Sequence, residues 1–246
     1  MTLPTEDYRE VLRRRYSEFH AQAAANPPSA ELFAYYDRVY RLTFGPLLPA
    51  DRNAAVFELG CGTGSFLHYL RSAGYRNVTG VDSDESSIAA AKKLGVEGAE
   101  AGDAYERLSR EKGSYDAVVA IDVLEHFRKD ELFPLLRAMH GALRPGGVVI
   151  WRVPNAAGPF FGRIRYGDLT HENAFTRLSA HQALTAAGFD SVESRGEKPV
   201  VTGARSLLRA ALWAGIVLLA RVYLFAESFE TAPILEPNLL VRARRP

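Results

Sequence analysis

The 246-residue chain has a single cysteine, Cys61, so it can form no internal disulfide, and no Cys/His spacing suits a structural zinc. Charge of one sign is also missing. Thirty basic residues face 29 acidic ones, for a formal net charge of +1. A dedicated nucleic-acid binder would carry a basic patch and a marked excess of Lys and Arg. No uncharged apolar run exceeds 11 residues, the longest being 210–220. That is short of the roughly 20 residues a membrane-spanning helix needs. The opening stretch, MTLPTEDYREVLRRRYSEF, is charged throughout and lacks the apolar core of a signal peptide, which makes the cytoplasm the expected compartment. No repeat or low-complexity run is present. What remains is an ordinary globular composition, 47% hydrophobic and 24% charged.

The first fifty residues read as two helices. One runs over about 6–25 and stops at Asn26-Pro27-Pro28. Ser29 caps the second, which carries Leu32, Phe33, Tyr36, Val39, Tyr40 and Phe44 at helical spacing. From residue 55 the pattern changes to short apolar runs separated by helical stretches. Strands are predicted at 55–60, 77–82, 96–103 (the weakest), 115–122 and 146–153, the last after the turn Arg144-Pro145-Gly146-Gly147. Helices are predicted at 65–72, 84–94 and 129–143. This alternation means parallel βαβ units in a sheet covered on both faces. After Pro154 it lapses over 155–177, a loop too long for a simple connector and of the kind that often carries function. Helix (178–187) and strand (191–194) then resume, and 237–245 reads as a final strand.

The segment 206–225 is apolar but interrupted by Arg209 and Arg221. On a helical wheel, Leu207, Leu208, Ala211, Leu212, Gly215, Leu218, Leu219, Val222 and Phe225 share one face, and Arg205, Arg209, Trp213 and Arg221 lie opposite, alongside Ile216, Val217 and Leu224. Two readings stand open: a helix packed on the domain or in a dimer interface, or an interfacial helix at a membrane surface.

The most informative segment is Glu58-Leu59-Gly60-Cys61-Gly62-Thr63-Gly64, which leaves a strand and enters a helix. Glycines there let the backbone turn sharply and approach a ligand, and helix N-terminal amides favour a negatively charged ligand group. A dinucleotide fingerprint would space its glycines G-x-G-x-x-G, whereas here the third comes one residue early and Ser65 follows. No Gly-Lys-Ser/Thr follows either, which excludes a P-loop.

E-x-G-x-G-x-G instead resembles motif I of the class I S-adenosylmethionine-dependent methyltransferases. The resemblance continues in order from about 55 to 153. Gly80-Val81-Asp82-Ser83 ends the second strand, where it implies a carboxylate gripping both ribose hydroxyls. Gly102-Asp103-Ala104 ends the third and looks like the adenine-reading acid. Ile121-Asp122-Val123-Leu124-Glu125-His126-Phe127 ends the fourth, beside the methionine moiety. Leu143-Arg144-Pro145-Gly146-Gly147 matches the turn before the fifth. Strand ends are where ligands bind in open α/β sheets.

The resemblance implies a Rossmann-like seven-stranded sheet, mostly parallel with the last strand antiparallel, and helices on both faces. It implies S-adenosylmethionine as cofactor, S-adenosylhomocysteine as its product, and no metal. The cofactor candidates are Glu58, Gly60, Cys61, Gly62, Gly64, Asp82, Ser83, Asp103, Ala104 and Asp122. Other roles compete: Asp84 looks the better helix cap than Asp82, Asp103 could cap the next helix, and Cys61 reads as a packing residue. Residues 1–54 would form a helical cap on a domain spanning 55–246, with 155–177 as acceptor loop and 204–228 as an apolar helical insertion.

An acceptor that loses a proton on methylation needs a base, and histidine titrates in the right range. His126 and His171 are the candidates, with Asp168 beside His171; His20, His68, His140 and His181 fall on predicted helices. The bland alternatives are a pocket-shaping role for His126 and a loop-ordering hydrogen bond for His171. Asp168-Leu169-Thr170-His171-Glu172 through Phe175-Thr176 resembles a subgroup associated with bacterial surface-polysaccharide assembly. That implies O-methylation of a sugar on a glycan or lipid-linked glycan. A small-molecule acceptor is the alternative, and a noncatalytic S-adenosylmethionine-binding protein a further one. Nucleic acid is not expected as a partner; peripheral membrane contact through 206–225, at the inner membrane face, is the membrane-linked expectation.

Overall fold

The computed structural model of the chain describes residues 8–14 and 29–246. Of the expected first helix only α1 (Tyr8–Arg14) falls among them. The rest of that stretch, with its Asn26-Pro27-Pro28 stop and His20, lies outside the described residues. In α2 (Ala30–Thr43) the Ser29 hydroxyl accepts from the Leu32 amide at 3.2 Å, the cap the sequence calls for.

Seven strands form one sheet: β1 (Ala55–Leu59), β2 (Asn77–Asp82), β3 (Ala99–Ala101), β4 (Tyr115–Ile121), β5 (Leu143–Pro154), β6 (Asp190–Gly196) and β7 (Asn238–Arg244). Their order is β3-β2-β1-β4-β5-β7-β6. The first five run parallel, and β7 is antiparallel to both its neighbours, β5 and β6. Between strands lie α3 (Ser65–Ser72), α4 (Glu85–Lys93), α5 (Ala104–Arg110), α6 (Lys129–Ala142), α7 (Phe161–Arg165), α8 (Arg177–Ala186) and α9 (Ala204–Ser228).

The strand alternation feeds two cores. Phe57, Leu59, Val118 and Ala120 face α6 and α8, where Leu135, Leu136, Met139 and Leu184 are buried. Val56, Ala117 and Val119 face the other way, against Phe33 and Tyr40 of α2 and Phe66, Leu67 and Leu70 of α3. Successive strand residues point to opposite faces, so continuous apolar runs are what a sheet covered on both sides requires. The Rossmann-like fold expected from the motifs is the fold observed.

Three details differ from expectation. The Arg144-Pro145-Gly146-Gly147 segment is not a turn ahead of β5 but a bulge within it. Tyr115 pairs with Leu143 and Ala117 with Val148, and Gly146 takes up the slack at φ +79°. The 155–177 loop holds the short helix α7 and is pinned at its base. Asn155, fully buried, donates to the carbonyls of Ile234 and Glu236 at 2.8 and 2.9 Å and accepts from the Ala157 amide.

The third difference is α9. The sequence set two arginines against a spanning reading, yet the helix has 25 residues and holds an 18-residue window of mean hydropathy 1.7, which makes it long and apolar enough to cross a membrane. It also does not pack into the domain: none of its residues is buried. The side lying nearest the body carries Ser206, Ala210, Trp213, Val217, Ala220 and Leu224, each half-buried. The wholly apolar face points to solvent, and Leu208, Leu212 and Leu219 are 62%, 62% and 72% exposed.

Asn155 gives the fold a point test. Asn155→Ala strips partners from two enclosed carbonyls, and each buried polar group left unpaired costs about 1–3 kcal/mol. Urea unfolding should show a loss of about 2–4 kcal/mol on the same basis; a loss below about 0.5 kcal/mol would mean that water replaces the amide.

Candidate active site

The glycine loop between β1 and α3 places three left-handed residues within five positions: Gly60 at φ +71°, Gly62 at +51° and Gly64 at +80°. Space explains two of them. A Cβ on Gly60 would stand 2.5 Å from Cγ2 of Val123, and one on Gly64 2.6 Å from Cγ1 of Val96. Gly62 is different, because nothing lies within 4 Å of where its Cβ would be. Its bare backbone faces open space at the carboxyl edge of the sheet, as a close-approaching ligand requires.

Two carboxylates sit beneath this loop. Asp82, at the end of β2, accepts from the Gly62 amide on one oxygen (2.7 Å) and from the Asp84 amide on the other (2.8 Å). It therefore ties the loop to the β2 end, and each oxygen keeps a second lone pair for a ligand hydroxyl. Burial raises its pKa, with these amides acting against the rise. Glu58, within β1, is 3% exposed, and its Oε2 has no hydrogen-bond partner. Burial, and then the neighbouring Asp82 charge, push it well above the ordinary carboxylate range. A buried acid without a counter-charge, at the floor of a glycine cradle, fits a cationic ligand.

Cys61 is buried, and burial drives its thiol pKa up, so it is a packing residue that lends its backbone to the loop. Asp84 caps α4 through the amides of Ser86 and Ser87. Ser83 stands exposed beside it. Asp103 caps α5, accepting from the Glu106 amide at 3.0 Å, and its other oxygen stays at the exposed end of β3. Ala104 opens α5 and packs on the core.

Asp122 follows β4 in a left-handed conformation (φ +55°) that is uncommon outside glycine. Its carboxylate takes a two-pronged ion pair from Arg152 of β5, through Nε at 3.0 Å and through Nη2. Arg152 Nη1 also approaches Glu197 at 3.4 Å. Burial opposes the Arg152 charge, but Asp122 and then Glu197 outweigh it and hold its pKa above the ordinary value. Arg152 was not among the expected residues. The available signal was a charge inside the apolar run Val148–Val153, since a buried arginine must be paired.

The candidate bases also come together. After β4 a short 3₁₀ turn (Leu124–His126) presents Glu125 and His126. The loop after β5 returns over it, with the amides of Glu172 and Asn173 donating to the Glu125 carbonyl. The His126 and His171 rings meet edge to face, 4.8 Å between centroids. The Thr170 hydroxyl donates to Asp168 Oδ1 at 2.6 Å, so its oxygen can only accept from Nδ1 of His126, 2.8 Å away. That fixes the neutral His126 tautomer with Nε2 as the basic nitrogen. His171 Nδ1 lies 3.1 Å from the Ile164 carbonyl, which can only accept, so its Nε2 is basic too. Burial acts to raise Asp168, but the Thr170 hydroxyl and amide hold it below its ordinary value, and it stays ionised. The His171–Asp168 link expected from the sequence is a backbone one, the His171 amide to the Asp168 carbonyl.

Glu125 is 2% exposed; burial, then Asp122, raise its pKa well above the ordinary range. Ligand atoms of Glu125, His126 and His171 all fall within 4.8 Å of one another, close enough to surround a cation. Over this cluster lies α1: Tyr8 donates to Glu172, and Arg9 pairs with Glu131 at 2.5 Å and donates to the His126 carbonyl. The remaining described histidines lie on helices, as expected: His68 on α3 beside Asp37, His140 on α6, His181 on α8.

Comparison with known proteins agrees with this geometry. A methyltransferase-domain family matches residues 8–194, and the chain belongs to that family. Similar solved structures include an S-adenosylmethionine-dependent methyltransferase from Archaeoglobus fulgidus (20% identity over 86% of this chain and 94% of that one, TM-score 0.66). Another, from Thermotoga maritima, is described as a possible histamine N-methyltransferase (17%, 96% and 99%, 0.61). A third is Haemonchus contortus phosphoethanolamine N-methyltransferase 2 in complex with S-adenosyl-L-methionine (16%, 99% and 61%, 0.64). No curated protein matches. The protein is an S-adenosylmethionine-dependent class I methyltransferase, and the noncatalytic reading gives way.

Glu58 supplies a test with a definite sign. Its pKa is raised in the folded state. Its contribution to stability is thus full below the ordinary carboxylate value of 4.5 and is lost as pH rises through the raised value. Glu58→Gln should therefore melt higher than the parent at pH 7–8, with the gap closing toward pH 4.5. The same variant should bind S-adenosylmethionine about 10- to 100-fold more weakly, the worth of one charge-assisted hydrogen bond. Equal affinity by calorimetry would remove Glu58 from the cofactor site.

Proposed function

We propose that the enzyme O-methylates a sugar hydroxyl of a glycan or lipid-linked glycan, on the cytoplasmic side of the cell. The observation that carries this is the His126–Thr170–Asp168 chain, a polarised base beyond the carboxyl end of β4. A sugar hydroxyl is a weak nucleophile until its proton is taken, whereas a thiolate or free amine needs no such help. The resemblance of Asp168–Thr176 to polysaccharide-assembly methyltransferases supports the sugar.

S-adenosylmethionine, when bound, supplies a methyl group on a cationic sulfur. Gly60–Gly64, Glu58, Asp82 and Asp103 are the residues that would hold it, with Asp122 beside its methionine end. The chain's own work is alignment, exclusion of water and removal of a proton. His126 Nε2 takes the hydroxyl proton. Thr170 then passes the stabilising pull of ionised Asp168 to the imidazolium without leaving its own place, and His171 walls the site. The 155–177 loop and α1 close over the acceptor.

The alternative acceptor, a small molecule, draws support from the structural relatives that bear the names of amine methyltransferases. Incubation with labelled cofactor and with glycan, lipid and metabolite fractions separates the two, and label confined to metabolites would overturn the sugar reading. His126→Ala should cut turnover about 10²- to 10⁴-fold with cofactor affinity unchanged. Thr170→Val, which breaks the relay, should lower kcat more than KM. It should also shift the acid limb of the pH–rate profile to lower pH, because an unsupported imidazolium gives up its proton more readily. Turnover should survive dialysis against EDTA. Loss of activity that magnesium restores would instead give Glu125, His126 and His171 to a cation.

A further inference from the structure

The apolar face of α9 is turned away from the protein; Ser206, Ala210, Trp213, Val217, Ala220 and Leu224 lie nearest the body, and the exposed Arg205, Arg209 and Arg221 flank that stripe. Arg209 and Trp213 line a cavity of about 390 Å³, together with Tyr35 and Tyr36 of α2, Arg152 of β5 and Lys198. Arg152 is balanced by Asp122 and Glu197. Among the described residues neither Lys198 nor Arg209 has an ion-pair partner, and the Trp213 indole N–H has no acceptor. Three cations and one acid, Glu197, thus line a cavity whose outer wall is the root of an exposed apolar helix. This wall shares Arg152 with the methyl-transfer site.

Topology decides how such a helix can meet a bilayer. Gly196 and Asn238 end and begin the neighbouring strands β6 and β7, and the Glu197 amide bonds the Asn238 carbonyl at 3.0 Å. The insertion therefore leaves and returns at one point. A helix of 25 residues is about 37 Å long. On the return, Ile234 and Glu236 are fastened by Asn155 and Leu235 is buried, so only about five residues remain, reaching about 17 Å. That is too short to recross a hydrocarbon core of about 30 Å, and an irregular return would leave its backbone groups unsatisfied there. A spanning arrangement is excluded. A helix lying in the plane, with Leu208, Leu212 and Leu219 down and arginines at lipid-phosphate level, meets every constraint.

We infer that α9 is an in-plane membrane helix that seats the enzyme on an anionic leaflet, so that the cavity behind it receives the phosphate-bearing head of a membrane-borne acceptor. The lipid-linked acceptor rests on the sugar reading above; the seating of α9 does not. The occupant is a lipid surface, because the exposed Arg205, Arg209 and Arg221 border the outward apolar face at the height where anionic headgroups lie once that face is sunk among acyl chains.

Flotation of the full chain with phosphatidylcholine vesicles, with and without 30% phosphatidylglycerol, tests the seating. Binding is expected on the anionic vesicles and should fall at least tenfold on the neutral ones. Leu208→Glu/Leu212→Glu/Leu219→Glu alters only exposed side chains. It should abolish flotation while S-adenosylhomocysteine affinity and melting temperature stay at parent values, which shows that the fold is intact. No flotation of the parent, or undiminished flotation of the triple variant, overturns the inference. So does a parent dimer in solution that the triple variant dissolves and vesicles do not disturb. Flotation needs no turnover, so the two readings fail separately. Bound enzyme that methylates only water-soluble sugars would remove the lipid-linked acceptor and leave α9 at the membrane.

Discussion

The pairing of Arg152 with Asp122 is the interaction on which the site's layout depends. A guanidinium buried in the middle of a sheet is costly, and only close, well-shaped partners make it tolerable. Asp122 supplies a two-pronged partner by adopting a left-handed backbone at the end of β4, and Glu197 supplies the other side. The pair thereby fixes the relative position of three things: the β4 end where the methionine moiety is expected, the β5 strand, and the start of the β6–β7 insertion. Arg152 meets the candidate cofactor residue Asp122 and also lines the cavity under α9. Replacing it with an apolar residue could leave the sheet packed, but the two halves of the site would lose their common wall.

The acids at the strand ends make sense as a set. Glu58 and Asp82 stand at the carboxyl ends of β1 and β2, and Asp103, Asp122 and Glu125 follow the carboxyl ends of β3 and β4. Only Asp122 has a full cationic partner. Glu58 and Glu125, the two most buried, are pushed toward the protonated form by burial and by neighbours of like charge. An arrangement of this kind is poorly solved by the protein alone and well solved by a ligand that brings positive charge. It also accounts for the absence of a basic loop of the sort that cradles phosphates: the glycine loop here is closed by an acid, Asp82, on the Gly62 amide.

Much of this was legible in the sequence because it is local. The Gly60–Gly64 loop, the Ser29 and Asp84 caps and the alternating apolar runs each follow from short-range stereochemistry and period. The motif order then gave the sheet, including the reversed β7. What escaped were relations between segments far apart in the chain. Arg152 meets Asp122 across 30 positions, and Thr170 meets His126 across 44. No spacing rule links such residues; only the register of β4 with β5 brings them together. Arg152 left a trace, a charge within a buried run. Thr170 left none, being one polar residue in a polar loop. The length of β5 was misjudged because Pro145 and Gly146 read as a turn, whereas Gly146 and Gly147 exchange backbone hydrogen bonds with Arg245, just past β7, which carries the strand through the bulge.

The 206–225 segment shows how far a helical wheel reaches. It separates a wholly apolar face from one that mixes arginines with apolar residues but cannot say which is turned to the protein. For a soluble domain the default is apolar inward, because burial of each large side chain contributes about 1.5–3 kcal/mol. Here β6 and β7 reverse that default. They place the insertion at the edge of the sheet, where α2 already covers the nearby core, and the helix meets the body only along Ser206, Ala210, Trp213, Val217, Ala220 and Leu224. Small residues on that stripe allow close approach but bury little. The stabilisation the outward leucines would have given to folding is left unspent in the protein by itself. A contiguous outward apolar face is uncommon on a monomer in water, and it becomes favourable only when something apolar is brought to it.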